Sequence, residues 1–306
     1  MSDGVDQRLA GALEACRRKL EEASFLEILG RLGAHGRPET AFQLLSGITA
    51  DPRSAGDLAH LCSSADPNSG EHLAERTLLI LASQHAIARA PDLPVADSVK
   101  RLFADEFHFF ANPPAAWVSH FQNDDVRFRE MARVATLRRF PAGQFQWEFS
   151  AFPRSWMAKV RNPLRVFWRI MRRMGGFGPL YELHLNERRK NRLILLEREA
   201  NISYFRAARS LEKQPAVRGL MVVSWLYCES TAQATPRLAW LRRTPESAGA
   251  LLIDVGPAAP DAGFLTGSEE RRKLYEQGAY RPRTVTVLWP RKSLIDWAIR
   301  HPEFDL

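Results

Sequence analysis

The chain has 306 residues, a length for one large domain or two ordinary ones, and its 45% apolar and 25% charged content excludes a disordered or fibrous protein. Cys16, Cys62 and Cys228 lie far apart with no CxxC pair, which excludes a disulfide scaffold and a cysteine-rich zinc site and suits a reducing cytosol. The net charge of +8 is uneven: residues 1–110 carry 11 basic and 16 acidic side chains, residues 111–306 carry 32 and 19, and 154–198 alone carry 12 and 3.

That asymmetry predicts two parts with different surfaces, the second favouring an anion such as nucleic acid, a phosphate-bearing cofactor, an acidic carrier protein or a membrane surface. A solvated arginine-rich face is the plainer alternative. The longest apolar runs, near Leu78–Ala82 and Leu220–Cys228, are too short to span a bilayer. The N-terminus is amphipathic with early acids rather than a basic start and an apolar core, so the expectation is a soluble, cytoplasmic protein.

In chain order, residues 5–33 have helical spacing (Leu9, Leu13, Cys16, Leu20, then Phe25, Leu26, Ile28, Leu29, Leu32), with Gly33 and Gly36 as the stop. Pro38 opens a helix through Leu45, and Ala55–Cys62 and Glu71–Arg89 read as two more. Asp97 is the expected cap of a helix through Val99, Leu102, Phe103, Phe107 and Phe110. Asn112-Pro113-Pro114 marks a break, which divides the chain into a helical domain, 1–111, and an α/β domain, 112–306. No fixed period recurs, so a solenoid is not expected.

Beyond the break, Asn123–Arg139 is helical, with Asn123 or Asp124 as cap, and Phe145–Phe152 (FQWEFSAF) reads as a strand. Asn162, Pro163 and Gly175-Gly176 bracket a helix over Leu164–Met174, whose apolar face reads as Leu164, Phe167, Trp168 and Met171, with Arg165, Arg169 and Arg172 elsewhere. The remainder alternates: strand Leu180–Leu185, helical Asn186–Lys213 with an interruption at Asn201-Ile202-Ser203, strand Gly219–Tyr227, helix Pro236–Arg243, strand Ala250–Val255, helix Ser268–Tyr275 stopping at Gly278, strand Arg283–Trp289 and helix Ser293–Arg300. The fold class is therefore α+β, a helical part followed by a mixed-sheet α/β domain.

The chain lacks a P-loop, a G-x-G-x-x-G after a strand, an H-E-x-x-H and a G-x-S-x-G elbow. His301-x-Glu303 has no evident third ligand, so no metal is expected there. His108 and His120 read as packed or surface histidines. Cys228, after a buried strand, is either an inert strand-end thiol or a nucleophile.

The order of elements from Tyr181 onward, together with Leu274-Tyr275-Glu276-Gln277-Gly278-Ala279-Tyr280 and the Ser224-Trp225-Leu226 strand followed by Pro236-x-Leu238, resembles the GNAT acyltransferases, including bacterial two-part enzymes with a helical N-terminal region. The resemblance covers about 40% of the chain and implies a GNAT-like α/β domain that moves an acyl group from a CoA or carrier-protein thioester to an amine or hydroxyl acceptor. It places Tyr275 beside the leaving thiolate. It places the donor along Tyr227, Cys228, Glu229, Ser230, Thr231, Arg237 and Arg242, although 229–237 holds no glycine where the family's pyrophosphate loop has them. Without that loop, an acyl carrier protein is the alternative donor. Glu182 and His184 alternate along one strand and so share a face, which makes them base candidates for a small-molecule acceptor, with Glu148 and Glu229 as further candidates. The oxyanion donor is expected among the amides of 227–229. The other reading is a non-catalytic interaction protein, or a nucleic-acid binder that uses the basic 154–198 surface with Trp156, Phe167 and Trp168 available to stack. Nucleic acid is the less favoured partner, because the aromatics fit a buried helix face and no binding motif occurs.

Overall fold

A computed structural model describes residues 3–51, 55–67, 71–123, 125–152, 157, 159–186, 195–259, 263, 265 and 268–306. The chain is a mixed α/β protein, with helices towards the N-terminus and a six-stranded mixed sheet in the C-terminal part. It divides into two compact units, Met1–Pro141 with Asn186–Arg192 and Ala142–Leu185 with Leu193–Leu306.

The first unit contains α1 (Asp3–Leu20), α2 (Ala23–Leu32), α3 (Pro38–Ala50), α4 (Ala55–Ala65), α5 (Leu73–Arg89), α6 (Asp97–Ala111) and α7 (Val126–Ala135), and ends in the short strand β1 (Arg139–Pro141). The single helix expected over 5–33 is two, because Glu21 and Glu22 interrupt it. α5 is the axis. Its apolar residues recur all round, so α1, α2, α3, α6 and α7 all pack on it. Its polar residues are matched locally: the Thr77 and Ser83 hydroxyls donate to the carbonyls of Leu73 and Leu79, and Asn123 Nδ2 donates to Glu75 at 2.9 Å. The Arg76 guanidinium lies over the rings of Phe25 and Phe121 at 5.2 and 5.7 Å. Phe103, Phe107 and Phe110 form one fully buried stripe on α6. Two expected caps shift. Asp97 is the first helical residue of α6 behind the N-cap Ala96, and α7 is capped by Asp125, whose carboxylate accepts from the Arg127 amide at 2.7 Å. The alternative cap, Asp124, lies outside the described residues.

The second unit holds β2 (Phe145–Ser150), α8 (Pro163–Met174), β3 (Leu180–Leu185), α9 (Glu197–Glu212), β4 (Gly219–Ser224), α10 (Glu229–Ala234), α11 (Ala239–Ser247), β5 (Leu251–Pro257), α12 (Glu269–Glu276), β6 (Arg283–Pro290) and α13 (Arg291–Arg300). Strand order within this unit is β2-β3-β4-β6-β5. β3 and β4 are parallel, joined through α9, while β2/β3, β4/β6 and β5/β6 are antiparallel. At Gly219 a Cβ would overlap the Trp289 carbonyl oxygen, so only glycine lets β4 approach β6 there.

Alternation along the strands builds two cores. On one face Leu180, Met221, Leu251, Ile253 and Leu288 pack with Ile170 and Met174 of α8. The other face is aromatic: Tyr204 of α9 stacks on Phe145 at 5.5 Å and meets Trp289 at 5.4 Å, and Trp289 meets Trp297 of α13 at 5.4 Å. α9 runs without interruption through Asn201-Ile202-Ser203, because the buried Ser203 hydroxyl donates to the Glu199 carbonyl. Residues 187–194, which the sequence pattern assigned to that helix, lie outside the described residues, as does Trp156.

α8 departs most from expectation. Its buried residues are Ile170 and Met174, whereas Leu164, Trp168 and Met171 are 76%, 69% and 38% exposed. The apolar arc is wider than the sheet can cover, and the helix turned its other edge inward.

Candidate functional site

β4 was expected to run to Tyr227, but it stops at Ser224. The Ser224 hydroxyl accepts from the Leu226 amide at 3.2 Å and caps a 3-10 turn, Trp225–Tyr227. α10 begins immediately afterwards with Cys228 as its N-cap, in the place where serine or threonine is usual. Cys228 Sγ lies 3.1 Å from both the Ser230 and Thr231 hydroxyls and accepts from the Thr231 amide at 3.4 Å. Burial pushes the thiol up, but hydrogen bonds from the Arg283 amide, the two hydroxyls and the Thr231 amide outweigh it, so it sits below its ordinary value.

Beside Cys228 opens a cavity of about 300 Å³ at the ends of β4, β5 and β6. Its walls are Glu229, Ser230, Arg242, Asp254, Arg281 and Arg283, with Leu252 and Val285 as apolar floor. Arg283 is ion-paired with Asp254. Arg242 donates to the Tyr227 carbonyl at 3.2 Å and pairs with Glu246. Arg281 donates to the Tyr275 carbonyl at 2.7 Å, and its guanidinium lies 4.8 Å over the Tyr275 ring. Glu229 is exposed and makes no hydrogen bond or ion pair among the described residues.

A second cavity of about 260 Å³ shares Leu252 and Asp254 with the first and is lined by Arg161, Arg165 and Arg169. These three arginines make no hydrogen bond or ion pair among the described residues. Between Glu148 and Glu182 the sequence contains no acidic residue at all. Edge strand β5 is thus flanked by two arginine-lined hollows.

Of the residues expected at a donor site, Cys228, Glu229, Ser230 and Arg242 meet in the first cavity. The others lie elsewhere. Tyr227 is buried, its hydroxyl 2.9 Å from that of Tyr204, and burial raises it. Thr231 is fully buried, tied to the Trp225 carbonyl and the Tyr280 hydroxyl at 3.0 Å each. Arg237 is exposed and faces Arg271. Tyr275 is half-buried and reaches the cavity only through Arg281. The Cys228 amide, expected as an oxyanion donor, is already bonded to the Trp225 carbonyl at 3.1 Å. Arg281 and Arg283 were missed by sequence reasoning. Their signal was a Tyr-Arg-Pro-Arg segment directly before the last strand.

Glu182 and His184 share a face as expected, opposite to that of the Cys228 cavity by strand alternation. Antiparallel pairing sets Glu148 directly across from Glu182. His184 Nε2 lies 3.3 Å from Glu148 Oε1, and one ligand atom from each of the three residues falls within 4.8 Å of the others. β3 and β4 pair only at Tyr181↔Leu220 and Glu182↔Met221, so the sheet opens beside this cluster over 183–185 and 222–224.

No family model matches the chain, and no curated protein or solved structure matches it.

Proposed function

We propose that the second unit is a GNAT-like acyltransferase, with the phosphate-bearing arm of an acyl thioester seated in the cavity beside Cys228. The observation that carries this reading is the convergence of Arg242, Arg281 and Arg283 on the cavity beside Cys228, at the start of β6 and along β5. Arginine forks match phosphate oxygens with two parallel hydrogen bonds. The adjoining Arg161, Arg165 and Arg169 hollow favours a donor carried on an acidic protein over free CoA, since it extends the basic surface beyond what one small molecule covers.

In this reading the acceptor amine attacks the thioester carbonyl, a C–N bond forms and the C–S bond breaks. Glu229, the unpaired carboxylate of the cavity, takes the amine proton. The departing thiolate is held by the arginines and takes its proton from solvent, while Tyr275 positions Arg281 from beneath. Glu182 and His184, on the other face, take no part in this step.

The test is thermal stability across a panel of CoA thioesters and acylated carrier proteins, followed by mass spectrometry of the products. A saturable rise in Tm with a thioester, absent in Arg281→Ala with Arg283→Ala, is the expected result. No shift with any donor removes the reading.

A second reading, a non-catalytic polyanion-binding protein, rests on α8, where exposed Trp168 stands on the same helix as the unpaired Arg165 and Arg169. Tight binding of an oligonucleotide at moderate salt, with no thioester binding, favours it.

A further inference from the structure

We propose that Glu148, Glu182 and His184 form a binding site for a first-row divalent cation such as zinc. The proposal is independent of acyl transfer and concerns the other face of the sheet.

The register dictates the arrangement. Glu148 and Glu182 are Cα partners in an antiparallel pair, and His184, two residues along β3, stands on the same face with its Nε2 directed at Glu148. Like charges directly opposite each other on a sheet are destabilising and are avoided where nothing compensates them. No compensating side chain reaches Glu182: it is half-buried and makes no hydrogen bond or ion pair among the described residues. His184 Nε2 is closed off from water and faces Glu148 Oε1 at 3.3 Å without making a hydrogen bond. Three ligand atoms thus gather at one locus; Glu148 has other interactions as well, and a cation there gives Glu182 a partner and His184 Nε2 an aligned one.

The donor chemistry selects the class of ion. One imidazole nitrogen and two carboxylate oxygens suit zinc, cobalt, manganese or ferrous iron better than calcium or magnesium, which favour oxygen alone. Ligands about 2.1 Å from a shared ion stand roughly 3–4 Å apart. The three atoms, within 4.8 Å of one another, reach that spacing by small glutamate side-chain rotations. Three protein ligands beside an opening in the sheet leave a coordination position for water or substrate, the arrangement of a reactive rather than a purely structural site.

The test is calorimetric titration of the chelator-treated full chain with zinc chloride. One equivalent is expected at micromolar affinity or tighter, with tighter binding as pH rises because protons compete for the ligands. Glu182→Gln and His184→Gln should each weaken binding by about thirtyfold or more, while His301→Gln, which alters the exposed His301–Glu303 pair, should leave it intact. Glu182→Gln should also raise the Tm of the metal-free protein by removing the repulsion. If that variant does not fold, the visible spectrum of the cobalt-loaded wild type, altered in Glu148→Gln, carries the same information. Absence of stoichiometric zinc, zinc retained in both Glu182→Gln and His184→Gln, or an unaltered cobalt spectrum in Glu148→Gln overturns the proposal.

Discussion

The two units differ in where their polar groups find partners. On α5 of the first, Glu75 is matched by Asn123 and Thr77 and Ser83 by carbonyls one turn back, while the Arg76 guanidinium lies over two aromatic rings with its Nε making no hydrogen bond. Its cysteines are inert, since burial pushes Cys16 up to about 12 and raises Cys62 further. In the second, Cys228 is lowered, and Arg161, Arg165, Arg169, Glu182 and Glu229 are left unpaired. Internal matching is what a structural unit needs. Charge left unmatched at one end and one edge of a sheet is free to meet a ligand.

The comparison breaks most visibly in stability. Phe107→Ala, at a fully buried position in the first unit, should cost about 3–5 kcal/mol, whereas Trp168→Ala on α8 should change stability by no more than about 0.5 kcal/mol in urea denaturation. Equal losses would mean that α8 is covered. Next in size is donor affinity: Arg281→Ala and Arg283→Ala should each weaken thioester binding by at least about tenfold, or 1.4 kcal/mol, with the fold intact by circular dichroism.

The thiols sharpen the contrast further. Iodoacetamide at neutral pH should modify Cys228 first and leave Cys16 and Cys62 untouched until denaturant is added, as read by peptide mass spectrometry. The pH dependence follows with opposite signs. A raised thiol, Cys16, contributes stability below its unfolded value near 9 and loses it as pH climbs towards about 12. A lowered thiol, Cys228, contributes fully above 9 and loses its share as pH falls through its folded value. Cys16→Ala should therefore flatten the alkaline loss of stability, and Cys228→Ala should steepen it. The smallest effect is expected of Tyr275→Phe, which keeps the ring under Arg281: Tm unchanged and acyl transfer lowered by less than about threefold. A loss of about a hundredfold or more would instead make the Tyr275 hydroxyl the proton donor.

Elements with strong local signals were legible in the sequence. Asn162-Pro163 and Gly175 set the ends of α8, with Gly175 in the left-handed conformation, and strand Leu180–Leu185 falls where the pattern placed it. α10 was missed, because a cysteine cap reads as a strand-end thiol. So was the exposed edge of α8, since seven apolar side chains offer more than one face and only the sheet selects which is buried.

The candidate sites divide along the same line. Period-two alternation placed Glu182 and His184 on one face from sequence alone. That Glu148 stands opposite Glu182, and that Arg281 and Arg283 meet Cys228, was decided by strand register and by the order β4-β6-β5. The sequence by itself determined the helical first part, the mixed-sheet second part and the basic bias, because these follow from local periodicity, caps and composition. Only the tertiary structure decided which charges converge and which helix face stays in water, because pairing between strands distant in sequence depends on how whole surfaces fit, and no single segment encodes that.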